Sequence, residues 1–200
     1  KYADSKDGQI MVGQMFVQYQ IPQKRTQKYP IIMWHGGGQT GTNFLGTPDG
    51  RPGWADYFLR QGYAVYVLDQ PGRARSGYFT DAYGPTRRPN AKAMTRDGLV
   101  ALLEKIGPAI VLTHSQSGPF GWQVADLRPE LVKAVLAIEP NGPPFYEITT
   151  HGAPEWFKDG PPGRGWGITR MPLTFDPPAA EPRDLAMKRE DKADAENLVR

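Results

Sequence analysis

Residues 109–118 read Ala109-Ile110-Val111-Leu112-Thr113-His114-Ser115-Gln116-Ser117-Gly118, and PFGWQVADL follows to Leu127. A short apolar run, a turn of small polar residues and a helix-forming stretch describe a buried strand passing straight into a helix. A serine on such a tight turn holds its hydroxyl exposed. The helix N-terminus lies beneath it, and the next backbone N–H can face a developing oxyanion. Small residues two before and two after the serine let strand and helix approach closely. Ser117 meets that need, whereas Thr113 stands where glycine is usual, so the motif is degenerate. The alternative for this stretch is an ordinary strand-to-helix turn with an N-capping serine.

Two earlier strands flank this junction in sequence. Tyr29–Trp34 is apolar and stops at His35-Gly36-Gly37-Gly38. A glycine-rich loop in that place can aim backbone N–H groups at the same oxyanion. Taken alone it marks only a tight turn. Tyr63–Leu68 is a second apolar run that ends at Asp69, and Gln70-Pro71-Gly72-Arg73-Ala74-Arg75-Ser76 follows, in isolation a basic surface turn. Residues 10–21 alternate as an early strand. Residues 53–61 predict a helix closed by Gly62. Residues 91–106 predict another, with Leu99, Leu102, Leu103 and Ile106 at helical spacing. Val132–Ile138 predicts a further buried strand, ending at Glu139-Pro140-Asn141-Gly142. Continuous apolar strands separated by helices imply an α/β fold, with parallel strands covered on both faces. There is no internal repeat.

Length and composition narrow the function classes. Two hundred residues suit one domain. There is no cysteine, which removes disulfides, thiolate metal sites and a cysteine nucleophile. A net charge of +3 is too small an excess to argue for nucleic acid. No apolar run approaches the ~20 residues of a membrane span. With 23 glycines and 20 prolines, a coiled coil or helical bundle is disfavoured. The character changes near residue 141: half of the prolines lie in residues 140–200, with Trp156, Phe157, Trp166 and Phe175. Residues 1–140 thus read as the core, and 141–200 as a proline- and aromatic-rich lid, with an ordinary surface loop as the alternative. Eleven of the last twenty side chains are charged, which predicts an exposed helix over 181–200.

The ordered series of HGGG after one strand, D-x-P-G-x-x-x-S after the next and x-H-S-x-S-G after the third resembles the α/β-hydrolase fold over roughly residues 29–140. HGGGQTG, THSQSG, AIEPNG and WGITRMPLTFDPP are similar, more narrowly, to bacterial carboxylesterases whose acid is a glutamate just after strand six. The resemblance implies a three-layer sandwich around a mostly parallel sheet. It makes Ser115 the nucleophile and gives the oxyanion hole to the backbone N–H groups of Gln116 and Gly37, or Gly38. Glu139 would orient the catalytic histidine, with Asp176 as the second candidate acid. A glutamate at a strand tip also makes independent sense, because strand tips of open α/β sheets face the ligand crevice. A secreted or periplasmic location follows from the resemblance alone, since no signal peptide is visible after Lys1.

The base is the difficulty. A serine hydroxyl needs one to take its proton, and the chain holds three histidines. His35 belongs to the glycine turn and reads as structural. His114 adjoins Ser115, so its ring is expected to point away and pack against the sheet. His151 has the order Ser–Glu–His, yet only twelve residues separate it from Glu139, too few for the elements that precede the base in this fold. The expectation is that the last strands and the base lie in a C-terminal segment, or on a second chain, outside these 200 residues. The function expected is a serine esterase acting on a small-molecule ester, without metal or organic cofactor. The alternatives are another acyl hydrolase (lipase, thioesterase, amidase) and a hydrolase-like binding protein that has lost catalysis.

Overall fold

The computed structural model describes residues 11–84, 92–141, 144–145 and 163–185. The chain divides into two compact units, residues 1–141 and 142–200. The first unit is built on a five-stranded sheet: β1 (Phe16–Gln20), β2 (Ile31–Trp34), β3 (Val65–Asp69), β4 (Ala109–His114) and β5 (Val132–Ile138). The spatial order is β1-β3-β2-β4-β5, with β1 antiparallel to β3 and every other pairing parallel. Helices α1 (Trp54–Arg60), α2 (Thr80–Tyr83), α3 (Lys92–Ile106) and α4 (Gly118–Leu127) fill the connections. The α/β class, the mostly parallel sheet and the order of its strands are those the sequence predicts, whereas α2 falls where the sequence reading has only a loop.

The pleat explains the two-sided core. Successive residues of a strand point to opposite faces, so Ile32 and Trp34 join Leu68, Leu99, Leu103, Val111 and Val124 on the α3–α4 face. Ile31 and Met33 join Phe44, Ala55, Val65, Val67 and Leu112 on the α1 face. A central strand buried on both faces must be apolar at every position, and all four residues of β2 are buried.

Three expectations need correction. β1 covers five residues rather than twelve, and β1 is an edge strand with partly exposed side chains. β5 is not fully buried: Lys133, Ala134 and Leu136 are exposed, Leu136 to 41%. Among the described residues β5 pairs only with β4 and is packed by α4, so one of its faces is open. Finally, Pro182–Asp184 forms a 3-10 turn rather than an α-helix, because Asp184 Oδ2 accepts the N–H groups of Ala180 (2.8 Å) and Glu181 (2.9 Å). The rest of the helix expected over 181–200 lies outside the described residues from 186 onward. Within the second unit, Trp166 stacks on Phe175 with ring centroids 6.2 Å apart, and Phe145 N–H donates to Gly167 O at 2.8 Å.

The degenerate position of the strand–helix junction is compensated on the helix. A methyl group on Gly121 would stand 2.7 Å from Thr113 Cγ2. The close approach that glycine would give at 113 is therefore supplied by Gly121, one turn into α4. Gly121→Ala is expected to overpack this contact. Set against the roughly 1 kcal/mol gained in helix propensity, overpacking of about 1–3 kcal/mol leaves a net loss of up to about 2 kcal/mol. Adding Thr113→Ala should return most of it. Urea midpoints of the two variants check both outcomes.

Candidate active site

Strand order reverses at β2: the chain steps to β3 on one side and later to β4 on the other. Ligand crevices of open α/β sheets form beyond the carboxyl ends of the strands at such a switch point. Register puts the exits of three strands level. Trp34 pairs with Thr113, and Thr113 with Ala137. Two residues further along each strand stand Gly36, Ser115 and Glu139, so one row of the sheet delivers all three segments to one edge.

At the centre, Ser115 opens a 3-10 turn of three residues between β4 and α4, with φ at +52°. That left-handed conformation is uncommon for a residue with a side chain, and such strain concentrates at functional sites. Ser117 is not equivalent to it. The Ser117 hydroxyl is buried, accepts His114 N–H (2.9 Å) and lies within hydrogen-bond reach of the carbonyls of Trp34 (2.8 Å) and His114 (3.0 Å). Ser117 therefore locks the turn onto β2, while Ser115 is half-buried at its tip.

The glycine loop lies against this turn. A methyl group on Gly36 would stand 3.0 Å from Ser115 Cβ, and one on Gly37 3.2 Å from Gln116 Cδ. The close approach is tightest at Gly36, while at Gly37 the neighbour is the flexible end of the Gln116 side chain. Gly36 is buried, whereas Gly37 and Gly38 are exposed. On the other side, Asn141 N–H donates to Ser115 O at 2.8 Å, and a methyl group on Gly118 would meet Pro140 Cβ at 2.6 Å. The segment following β5 is thus held against the serine turn. Glu139 sits in it, exposed, with φ at +42°. Asp176 is exposed in the second unit.

His35 is structural. It is fully buried. Its Nε2 accepts Gln70 N–H at 3.0 Å, which leaves the proton on Nδ1, donated to Gly36 O at 2.8 Å. Gln70 Nε2 returns a bond to His35 O at 2.8 Å. Burial holds the His35 pKa below its ordinary value, and Arg73 pushes the same way against opposing contributions from the Gly36 bond and Asp69. An unfolded chain protonates this histidine near pH 6.5. The folded chain resists until a lower pH. Stability is therefore full above about pH 6.5 and falls as pH drops through the window between the two values. Unfolding midpoints measured from pH 8 to pH 5 should fall on acidification, and His35→Asn should flatten that fall.

Asp69 anchors the loop after β3. Burial alone would raise its pKa, but Arg75 Nε (2.6 Å), Gly41 N–H (2.6 Å) and Arg75 N–H (3.2 Å) hold the carboxylate below its ordinary value. Ser76 Oγ caps the strand end by donating to Asp69 O at 2.6 Å. The basic turn of the sequence is thus a clamp that braces the edge of the site.

His114 departs from expectation. Its ring does not pack into the sheet; its Nδ1 lies 3.0 Å from Gln39 Oε1 in the glycine loop. Gln39 is a site residue that the sequence reasoning missed, and its only signal there is a polar side chain directly after three glycines. His151 lies outside the described residues. Among those described, no group of three or more His, Asp or Glu side chains could hold a metal ion, and no helix is long and apolar enough to cross a membrane.

The profile of the Alpha/beta hydrolase family matches residues 31–199. The chain is 36% identical to the "Probable secreted lipase phiG" of a fungus (Fungal sp., strain ATCC 74256), over 82% of this chain and 57% of that protein. The structure is similar to that of a "Novel Bacterial Esterase", with a TM-score of 0.61 and 30% identity, over 70% of this chain and 62% of the other. It also shares its fold with a thioesterase domain from the curacin biosynthetic pathway, at a TM-score of 0.51 and 16% identity. The chain spans about three fifths of the length of the lipase and of the esterase.

Proposed function

Because the chain belongs to the Alpha/beta hydrolase family, and is lipase- and esterase-like within it, we propose that it is a serine carboxylesterase that works through an acyl-enzyme on Ser115. The supporting observation is the contact between the loop after β2 and the turn after β4, which sets Gly36 against Ser115 and Gly37 against Gln116. In this proposal a base takes the Ser115 Oγ proton as Oγ attacks the ester carbonyl carbon. The carbonyl oxygen becomes an oxyanion facing the N–H groups of Gln116 and Gly37, with Gly38 as the neighbouring donor. The tetrahedral intermediate collapses by breaking the bond to the alcohol oxygen, which leaves with the proton from the base. Water then repeats the sequence on the acyl-enzyme and releases the carboxylic acid and the serine.

Glu139 is the proposed acid that orients the base and stabilises its charged form. Residues 141–200 are the proposed lid. The secreted description of the fungal relative supports an extracellular role. The base itself is sought outside the described residues, in His151 or on a second chain, because both ring nitrogens of His35 are committed and the His114 ring is turned to Gln39 in the glycine loop. That commitment also favours a second reading, a binding protein without turnover. Pre-steady-state hydrolysis of p-nitrophenyl butyrate separates the two. The esterase releases nitrophenol with continuing turnover, preceded by a burst stoichiometric with enzyme where deacylation is the slower step, whereas saturable binding with neither burst nor turnover favours the binding protein.

A further inference from the structure

We infer that Gln39 is a positioning residue that holds the two halves of the oxyanion hole at a fixed separation. This inference rests on the esterase reading above. The two halves arise from segments far apart in sequence: Gly37 and Gly38 follow β2, and Gln116 follows β4. One side-chain oxygen ties them together. Gln39 Oε1 accepts Gly36 N–H at 3.0 Å and lies 3.0 Å from His114 Nδ1. Since an N–H donates to this oxygen, it is the carbonyl end of the amide. Nδ1 of His114 must then be the second donor, because two acceptors would repel.

Two consequences follow. The Gly36 N–H is consumed inside the loop, so the donors offered to an oxyanion are those of the exposed Gly37 and Gly38. His114 is fixed as the Nδ1–H tautomer and immediately precedes Ser115, so the bond from Gln39 to its ring anchors the glycine loop to the residue that enters the nucleophile turn. The fit at Gly36 is tight. A methyl group there would stand 2.9 Å from Gln39 Oε1, 3.0 Å from His114 Nδ1 and 3.0 Å from Ser115 Cβ. Ser117 Oγ ties the turn to Trp34 O at the end of β2, and the Gln39 amide oxygen is the further tie that holds the glycine loop beyond that point, and with it the separation of Gly37 N–H from Gln116 N–H. A shift of about 1 Å in such a donor is sufficient to cost about 100-fold in rate.

The test uses Gln39→Met, which keeps the side-chain length and removes the acceptor. In an ester-hydrolysing preparation, kcat is expected to fall about 10- to 100-fold with KM within about twofold. Affinity for a trifluoromethyl ketone, which binds as an oxyanion, should fall by the same factor. Loss of folded protein would also lower apparent kcat at constant KM, but it would leave the ketone affinity of the remaining folded sites unchanged, so the parallel loss of ketone affinity is the deciding readout. A wild-type protein that hydrolyses esters beside a Gln39→Met variant of unchanged kcat overturns the role of Gln39 and leaves the esterase reading standing. A wild type that neither hydrolyses esters nor binds the ketone overturns both. An independent check needs no variant. Long-range ¹H–¹⁵N spectra of the wild-type protein should show His114 protonated at Nδ1 and bare at Nε2; the opposite tautomer overturns the inference.

Discussion

Ser115→Ala is expected to lower ester hydrolysis by about 10⁶-fold, as removal of an activated nucleophile does in serine hydrolases, while the fold and substrate affinity persist. The persistence follows from where the turn's own bonds are made. Its bonds to β2 and to the end of β4 run through the Ser117 hydroxyl, which spans His114 and Trp34, and its bond to the segment after β5 runs through the Ser115 backbone carbonyl, which accepts from Asn141. An alanine at 115 disturbs none of these. It must still adopt φ near +52°, a strain serine already bears. Ser117→Ala should behave in the reverse sense: it removes a buried hydroxyl with three polar neighbours, lowers stability by about 1–3 kcal/mol, and leaves the nucleophile in place. Initial rates and thermal midpoints of the two variants, measured side by side, check the pair of outcomes.

Glu139→Gln carries the second large effect. If Glu139 orients the base and stabilises its charged form, kcat should fall by up to about 10⁴-fold with little change in KM, as for the equivalent carboxylate of serine proteases. Asp176→Asn should be mild. Glu139 adopts a positive φ at the exit of β5, beside the Pro140–Gly118 and Asn141–Ser115 contacts. The amide of the variant can keep that backbone geometry and loses only the charge. Steady-state kinetics of the two variants decide the matter, and reversal of the two effects would transfer the acid role to Asp176.

Much of this was legible because strands buried on both faces must be apolar at every position. Ile31-Ile32-Met33-Trp34 and Ala109-Ile110-Val111-Leu112 have that composition, and the glycine loop and Ser115 follow directly from their ends. What was missed depends on neighbours remote in sequence. The partner of His114 is Gln39, 75 residues away, and only the β2–β4 pairing brings them together. Strand alternation turned the His114 ring away from Ser115 and into the sheet, but the reversed φ of Ser115 ends the alternation at that point. Gly121 compensates for Thr113 across a strand–helix contact that spacing alone does not reveal. The open face of β5 did leave a signal, Lys133 within an otherwise apolar run, because a lysine is tolerated where a strand is not enclosed. For the second unit, much of what the sequence suggests falls on residues outside those described.

The account stands on Ser115 as the nucleophile, and covalent mapping tests this most directly. A fluorophosphonate reacts with an activated serine and marks it permanently. A preparation that hydrolyses p-nitrophenyl esters, treated to full inactivation, digested and sequenced by mass spectrometry, is predicted to carry one label per chain, on Ser115 of the Thr113–Gly118 segment. A label on Ser117 or elsewhere in that preparation, or full inactivation without a label on Ser115, would contradict it.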